Sequence, residues 1–527
     1  MRTLSTPQHE LTRDLLRKQL GGVPDRGFLD LIWGVHALQS DRTSSAESVL
    51  GSLYPAGAVT ADLGSPYAIY PWELETLVNE LLASPKLGIP WSYGSYTLGF
   101  RHWWAVARAV NTLRALEDQE YSAYCDPQNI LREMQKIAAR QFEWQRGFLN
   151  VPQFYRSAFL YGGDLCSSRL ESEFGTSIGE MSLIGFAIFA ALQQKPSVYR
   201  SINLADIGAD RPTLERVLGR ICRPLGDLRD VAHAQRQDWP FTAYRPSVLR
   251  QFPCISVEAR REVVLAPIPD LVLLRVTSGI FYDVVGGGGA IRNEYGRRFE
   301  DYCWNYFKAQ LPNLAIKREW KYAFRKQPYD TPDLLVSSDG QVAIAIECKA
   351  TKMTVRAKLH DQAEDEKGFN DLAKGIYQIW RFFSHSRQGL TGSSLSKDAI
   401  GMLLTLDGWM VMGGPLRAEV IRRAEDLAAK DGGITVEDRK SVFFCQITDL
   451  ESTLADADEE TFLRAAQAAA QDEHEGWLLS SVHSRLSDDD AVARQRKPYP
   501  FDDLAELLPW WGAMKERKRD LQIQVPG

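Results

Sequence analysis

Paired cysteines are missing from this sequence. Its seven cysteines, at positions 125, 166, 222, 254, 303, 348 and 445, form no C-x-x-C pair, which removes the zinc-ribbon and thiol-redox readings. An odd, scattered set suits a reducing compartment better than a disulfide framework, so the expected location is the cytoplasm. There is no H-E-x-x-H and no Walker loop, hence no zincin site and no ATP motif. The eight histidines are scattered and build no persuasive Ser/His/Asp array. Long apolar runs are lacking as well. The longest, residues 183–192, is far short of a bilayer span and reads as a buried helix, so no membrane partner is expected. Residues 1–6 offer no apolar core of a secretory leader. No repeat period marks a solenoid. Asp488-Asp489-Asp490 lacks the glycine and terminal Glu of a calcium loop.

What the chain does have is length and an uneven charge. With 527 residues, 44% hydrophobic and 25% charged, it can bury two or three ordinary cores. The net charge of −6 is not spread evenly. Residues 1–290 hold 29 Lys+Arg against 30 Asp+Glu, residues 291–411 hold 18 against 15, and residues 412–527 hold 15 against 23. A nucleic-acid binder needs a local basic surface rather than a basic total, and only the middle segment has a positive balance. The acidic remainder is a candidate shield for that segment.

Residues 1–250 read as a mainly helical domain for sensing, partner or substrate binding. Helices are expected after Thr6-Pro7, over 71–82, 101–116, 177–193 and 212–222, and after Asp126-Pro127, where Ile130, Met134, Ile137, Ala138 and Phe142 make an apolar stripe. Tryptophan and arginine recur together, as in Arg101-His102-Trp103-Trp104 and Trp144-Gln145-Arg146. They fit either a helical core with amphipathic rims or a nucleic-acid or partner surface. Residues 251–290 read as a β-rich connector, with strands over 256–267 and 271–285, ending in the flexible joint Gly286-Gly287-Gly288-Gly289.

The segment 291–448 carries the chemistry. A helix over 293–310 has the stripe Tyr295, Phe299, Tyr302, Cys303 and Tyr306, with Glu300 at its edge. A basic strand over 315–324 follows, with Lys317, Arg318 and Lys321, then Arg325, interleaved with Trp320, Tyr322 and Phe324. Such a strand fits a surface beside a phosphate backbone, or a charged edge strand protected against aggregation. Next comes a hairpin: 331–336, the turn Ser337-Ser338-Asp339-Gly340, then 341–350. Period-two alternation places Val342, Ile344, Ile346 and Cys348 on one face and Ala343, Ala345, Glu347 and Lys349 on the other. Asp333 starts the neighbouring strand and reaches the same place. Two carboxylates and an ammonium on one sheet face are costly without a reason, and a divalent cation supplies one. A polar loop over 351–367 carries Lys352, and a helix over 368–383 follows, with Gln378 and Phe382 off its apolar stripe. A strand over 399–412, a helix over 415–430 and a strand over 441–447 complete the segment; 449–527 is an acidic, helical extension.

Pro332-Asp333, thirteen intervening residues, then Glu347-Cys348-Lys349 resembles the PD-(D/E)xK nuclease superfamily, over roughly residues 293–412. Gly296-Arg297-Arg298-Phe299-Glu300 looks like the superfamily's Glu-bearing helix before the sheet. Gln378-Ile379-Trp380-Arg381-Phe382 resembles its Gln-x-x-x-Tyr element, with Phe382 removing the hydroxyl. The resemblance implies a restriction-endonuclease-like α+β or α/β fold, a mixed sheet flanked by helices, beside a large helical N-terminal domain. It implies Mg²⁺ or Mn²⁺ held by Asp333, Glu347 and the Cys348 carbonyl, with Lys349, Glu300 and Gln378 in the catalytic set and Lys317, Arg318, Lys321, Arg325 and Lys352 on nucleic acid. The implied activity is DNA endonuclease, in restriction or other defence against mobile DNA, with a homodimer or a defence partner protein. The alternatives are a silent nuclease-fold scaffold that grips nucleic acid or a subunit, and RNA as target.

Overall fold

The protein is described by a computed structural model covering residues 7–59, 64–87, 102–125, 130–239, 241–257, 262–354, 358–359, 367–408, 414–487, 496–501 and 504–523. It is a mixed α+β chain, predominantly helical, and it divides into two units. The first comprises Met1–Pro127, Arg140–Gly286 and Leu504–Gly527; the second comprises Gln128–Ala139 and Gly287–Asp503. Among the described residues no single helix is long and apolar enough to cross a bilayer.

The first unit is a stack of helices with one small sheet. Ser177 caps Ile178–Leu192 through the Glu180 N–H, while Glu180 bonds back to the Ser177 N–H, a complete capping box. Asp210 caps Arg211–Ile221 in the same way through Thr213. Arginine is turned inward here. Arg140 meets Glu117 at 2.7 Å, Arg13 meets Glu120 at 2.7 Å, Arg250 meets Glu75 at 3.0 Å, and Arg245 pairs with the buried Glu80. Trp144 donates to Glu75. The Trp/Arg recurrence is therefore largely core and ion-pair chemistry, although Trp104 is exposed.

Three expectations change. Residues 271–285 are helical, in Asp270–Val276, Ser278–Ile280 and Phe281–Val284, because a continuous apolar run suits a buried helix as well as a buried strand. Among the described residues of 251–290 the strands are Cys254–Ser256 and Val263–Leu265. The glycine run is structured: Gly288, at φ 93°, starts the long helix that follows, and Gly289 lies inside it. In Ile130–Arg146 the expected stripe divides: Ile130, Met134 and Ile137 are exposed, while Ala138 is buried and Phe142 half-buried. Glu133 and Lys136 are buried instead, three residues apart and paired at 2.8 Å, so their charges offset each other.

The elements of the second unit are numbered here. They are α1 (Gly289–Gln310), β1 (Ala315–Arg318), β2 (Lys321–Phe324), β3 (Gln327–Asp330), β4 (Leu334–Ser338), β5 (Gln341–Lys349), α2 (Lys367–Arg387) and β6 (Ser394–Thr405). They continue with α3 (Pro415–Asp431), β7 (Val442–Gln446), α4 (Ile447–Asp456), α5 (Glu459–Ala469) and α6 (Leu479–Ser487). The main sheet has the order β7-β6-β5-β4-β1. β1, β4 and β5 pair antiparallel, whereas β5, β6 and β7 run parallel, with α2 and α3 as the crossovers. One face is sealed by α2 and α3, where Leu335, Ala345 and Leu403 meet Phe369, Leu372, Ile376 and Val420. Gly401 lets this layer close: a Cβ there would lie 2.9 Å from the Ile379 side chain and 2.7 Å from Val442.

Residues 447–487 are not appended to this sheet but built onto it. Tyr302 of α1 donates to Glu451 of α4 at 2.6 Å, and buried Asp449 caps the start of α6 through the Leu479 and Ser480 N–H groups. Acidic side chains that looked like a solvated extension are partly spoken for inside the fold.

The expected basic strand 315–324 is broken at Glu319-Trp320 into β1, which joins the main sheet, and β2, which forms a separate two-stranded ribbon with β3. The break has a cause. The Glu319 N–H donates to the Asp333 carbonyl at 3.0 Å, and the Trp320 N–H donates to Thr331 Oγ1 at 3.1 Å. The ribbon's two-residue turn is Arg325-Lys326, at φ 50° and 64°. Paired positive φ values there favour Asn-Gly, and each L-residue with a side chain in that region costs about 1–2 kcal/mol. Replacing Arg325-Lys326 with Asn-Gly is expected to raise stability by roughly 1 kcal/mol in denaturant melts, after the added flexibility of the unfolded chain is offset. A lowered midpoint would mean that the two cations contribute contacts that outweigh the strain.

Candidate functional site

The turn Asp339-Gly340, with both residues at positive φ, sets the register of β4 against β5. That register contains one irregularity: Val336 pairs with Ile344, but Ser337 pairs with Val342. The extra residue reverses the side-chain alternation. Val342 therefore joins Ala345 on the α2 face, where strict alternation had put it with Ile344 and Ile346. Past the bulge the alternation holds. Glu347, opposite Leu403 on β6, shares the α2 face with Ala345.

α2 meets that face through a glycine. A Cβ on Gly375 would lie 2.7 Å from Leu403 Cδ1, 3.1 Å from Lys349 Cε and 3.6 Å from Glu347 Cβ. Glu347 is thereby covered to 1% exposure. Its Oε2 accepts from Lys349 Nζ at 2.6 Å, and its Oε1 is buried with no partner. Asp333, just before β4, is fixed by its Oδ2 accepting from the Cys348 N–H at 2.6 Å. On the other face, Cys348 lies against Cys303 of α1. Glu300, one turn earlier on that helix, comes within electrostatic reach of Asp333, Lys349 and Glu347.

Three half-buried or buried carboxylates and one ammonium thus share a small volume, and their proton affinities show it. Burial pushes Glu347 up to about 8; Asp333 adds to this and Lys349 opposes it. Burial also pushes Glu300 up to about 8, with Asp333 and Glu319 adding. Asp333 is raised by burial, against the pull of Lys349 and the Cys348 N–H. Burial disfavours the Lys349 ammonium, but Glu347 and Asp333 outweigh it, and Lys349 holds its proton above its ordinary range. Perturbed carboxyls gathered around one ammonium, one of them with an oxygen that has no donor, mark a candidate functional site.

The donor set fits a hard divalent ion of the Mg²⁺ kind, which keeps several waters and asks for one or two carboxylates. Among the described residues no three His, Cys, Asp or Glu side chains are grouped as ligands of one ion. Asp333 and Glu347 would be the protein's charged ligands.

The other expected residues separate into groups. Gln378 is half-buried on α2, one turn beyond Gly375, and makes no side-chain hydrogen bond among the described residues. Phe382, expected off the apolar stripe, is fully buried in the sheet–helix core. Arg318 is stacked on Trp304 and paired with Asp301 at 2.7 Å. Lys317 lies over Trp320, while Lys321 and Arg325 are exposed on the ribbon. Lys352 sits near Asp407; despite burial, that carboxyl is held below its usual range by Lys358 and Lys352. Three residues were not anticipated. Glu319 is brought in by the β1–β2 break, and Arg381 by its place on α2. Gly375 had a signal, since a glycine inside a helical apolar pattern marks close approach.

Compared with family models, curated proteins and solved structures, the chain has no match.

The raised carboxyls fix the sign of a pH dependence. Between the ordinary Glu range and about 8, folded Glu347 and Glu300 keep protons that the unfolded chain has released, so stability falls as pH rises. Urea melts of the metal-free protein are expected to lose stability steadily from pH 5.5 to 8.5. Glu347→Gln is expected to flatten that slope, and Mg²⁺ to stabilise more at pH 8 than at pH 6. A slope unchanged by Glu347→Gln would remove Glu347 as its source.

Proposed function

We propose that the second unit hydrolyses phosphodiester bonds in DNA with a divalent metal ion, centred on Asp333, Glu347 and Lys349. The observation that carries this reading is the pair of half-buried Asp333 and buried Glu347, each with one oxygen committed to a fixed donor and with Glu347 Oε1 left without one. Bound Mg²⁺ or Mn²⁺ would supply charge neutralisation of a phosphate oxygen and of the leaving oxygen. The mixed sheet between α1 and the α2–α3 layer is consistent with the restriction-endonuclease-like arrangement that the Pro332-Asp333…Glu347-Cys348-Lys349 spacing resembles.

The protein's own groups have distinct tasks in this reading. Asp333 and Glu347 hold the ion, and the β4–β5 register fixes their separation. Lys349 stays an ammonium near neutral pH, so its task is to donate to developing negative charge rather than to remove a proton. Glu300, with its raised proton affinity, is suited to carry a proton at the edge of the site. The exposed cations Lys321 and Arg325 provide a local attraction for a phosphate backbone.

The test is incubation of the full chain with plasmid, linear duplex, single-stranded DNA and RNA in Mg²⁺, Mn²⁺ or EDTA. Cutting of DNA is expected with either metal and not in EDTA. Asp333→Ala and Glu347→Ala are expected to abolish it while folding survives, and Lys349→Ala to slow it by about 10²–10³-fold. Metal-dependent cutting undiminished in both carboxylate variants would overturn the assignment. Binding without cutting would favour a silent gripping fold, and cutting confined to RNA would change the substrate.

A further inference from the structure

On α2, Lys374, Gln378, Arg381 and His385 follow one another at intervals of four, three and four residues, which places them along one helix face. The β2–β3 ribbon packs onto the far end of this row. Tyr322 shares a 2.8 Å hydrogen bond with His385 Nδ1, and the rings of Phe324 and Tyr329 lie 5.0 Å and 5.2 Å from the imidazole. Burial and the charge of Arg381 both disfavour the imidazolium, so His385 serves as a neutral anchor.

Arg381 occupies the middle of the row. Its guanidinium lies over Tyr329 at 5.0 Å and over Tyr377 at 5.4 Å. Its Nε is buried with no hydrogen-bond partner. Several arginines of this unit have carboxylates: Arg387 has Asp438, Arg423 has Glu419, Arg318 has Asp301 and Arg417 has Glu475. Arg381 makes no such ion pair among the described residues. It is nevertheless near enough to Glu347 for its charge to favour that carboxylate. The guanidinium is within hydrogen-bond reach of the Tyr322 and Tyr377 hydroxyls, which are neutral; half-buried against aromatic rings and lacking a counter-ion, it keeps its charge for an anion.

We infer that Arg381 is a phosphate-binding group for the nucleic-acid backbone, held flat by Tyr329 and Tyr377 and positioned by the β2–β3 ribbon. The inference rests on reading the neighbouring carboxylates as a phosphodiester-cleaving centre. A planar fork suits the paired oxygens of a phosphodiester better than a single halide or carbonyl. The ribbon extends the same track, because its turn exposes Arg325 and Lys326 at a position where asparagine and glycine would be less strained. Cations retained against local backbone preference are expected at a surface that uses them.

The test is equilibrium binding of a labelled DNA duplex to the full chain carrying Asp333→Asn, which removes the charge but keeps an oxygen for the Cys348 N–H. Affinity is measured over a series of NaCl concentrations. Adding Arg381→Ala is expected to weaken binding about tenfold and to lower the slope of log affinity against log salt by about one. Arg381→Lys is expected to keep the slope and lose part of the affinity, since the charge remains and the fork does not. Arg325→Asn with Lys326→Gly is expected to lower both. A thermal midpoint for Arg381→Ala within a few degrees of its parent separates lost contact from lost fold. Unchanged affinity and slope in Arg381→Ala would overturn the inference while leaving the cutting centre standing. Arg381-dependent binding by a wild-type chain that cuts nothing in Mg²⁺ or Mn²⁺ would do the reverse. Failure of the Asp333→Asn chain to bind duplex at any salt would also overturn the inference.

Discussion

A carboxylate held in the interior with one oxygen unpaired is the constraint on which the second unit depends. Glu347 is 1% exposed, its Oε2 accepts from Lys349, its Oε1 has no donor, and the Asp333 carboxyl lies within hydrogen-bond reach. Desolvating such a group costs several kcal/mol unless it is neutralised. The chain neutralises it in part, by an ammonium and by a raised proton affinity, and then places Asp333 beside it, which makes the problem worse. Ordinary core packing does not favour that combination; the cation proposed above would offset it. The surrounding architecture serves this arrangement. Gly375 lets α2 cover Glu347 and Lys349 closely, Gly401 lets the same layer close over β6, and the break after β1 ties Glu319 and Trp320 to the strand that presents Asp333.

The two units use charge in opposite ways. In the first, arginines and glutamates meet inside the fold, as at Arg13–Glu120, Arg140–Glu117 and Arg250–Glu75. Buried pairs of this kind offset their own desolvation and leave little field outside, which agrees with the unit's near-balanced 31 cations against 32 anions. In residues 291–411 the small positive excess is partly used up internally, since Arg318 is paired and Lys352 lies near Asp407. Lys321, Arg325 and Lys326 stay exposed on the ribbon, and Arg381 has no carboxylate among the described residues.

The residues of the candidate centre were legible in the sequence because strand alternation is local. Once 341–350 is read as a strand, Glu347 and Lys349 must share a face, and Pro332-Asp333 must start its neighbour. The helix positions of Glu300 and Gln378 followed equally from periodicity. The faces were less secure. One extra residue near Ala343 returned Val342 to the opposite side, and a bulge has no signature in an unbroken apolar run. Residues 271–285 were read as strand for the same reason, since Val, Leu and Ile in succession satisfy a buried helix and a buried strand alike. The stripe of Ile130, Met134 and Ile137 was real but faced outward, because the Glu133–Lys136 pair could be buried at little net charge.

By itself the sequence determined the order of helices and strands around the Thr331–Ala350 hairpin, the turn at Asp339-Gly340 and the charged residues that the hairpin carries. These follow from φ/ψ preferences and from periods of 2.0 and 3.6 residues, which act between near neighbours. Tertiary structure alone decided which charges are spent and which are free. It gave Arg318 to Asp301, left Arg381 without a carboxylate between two tyrosine rings, and left one oxygen of Glu347 alone in the interior. Electrostatic pairing and desolvation depend on distances between elements far apart in the chain, and no local pattern encodes them.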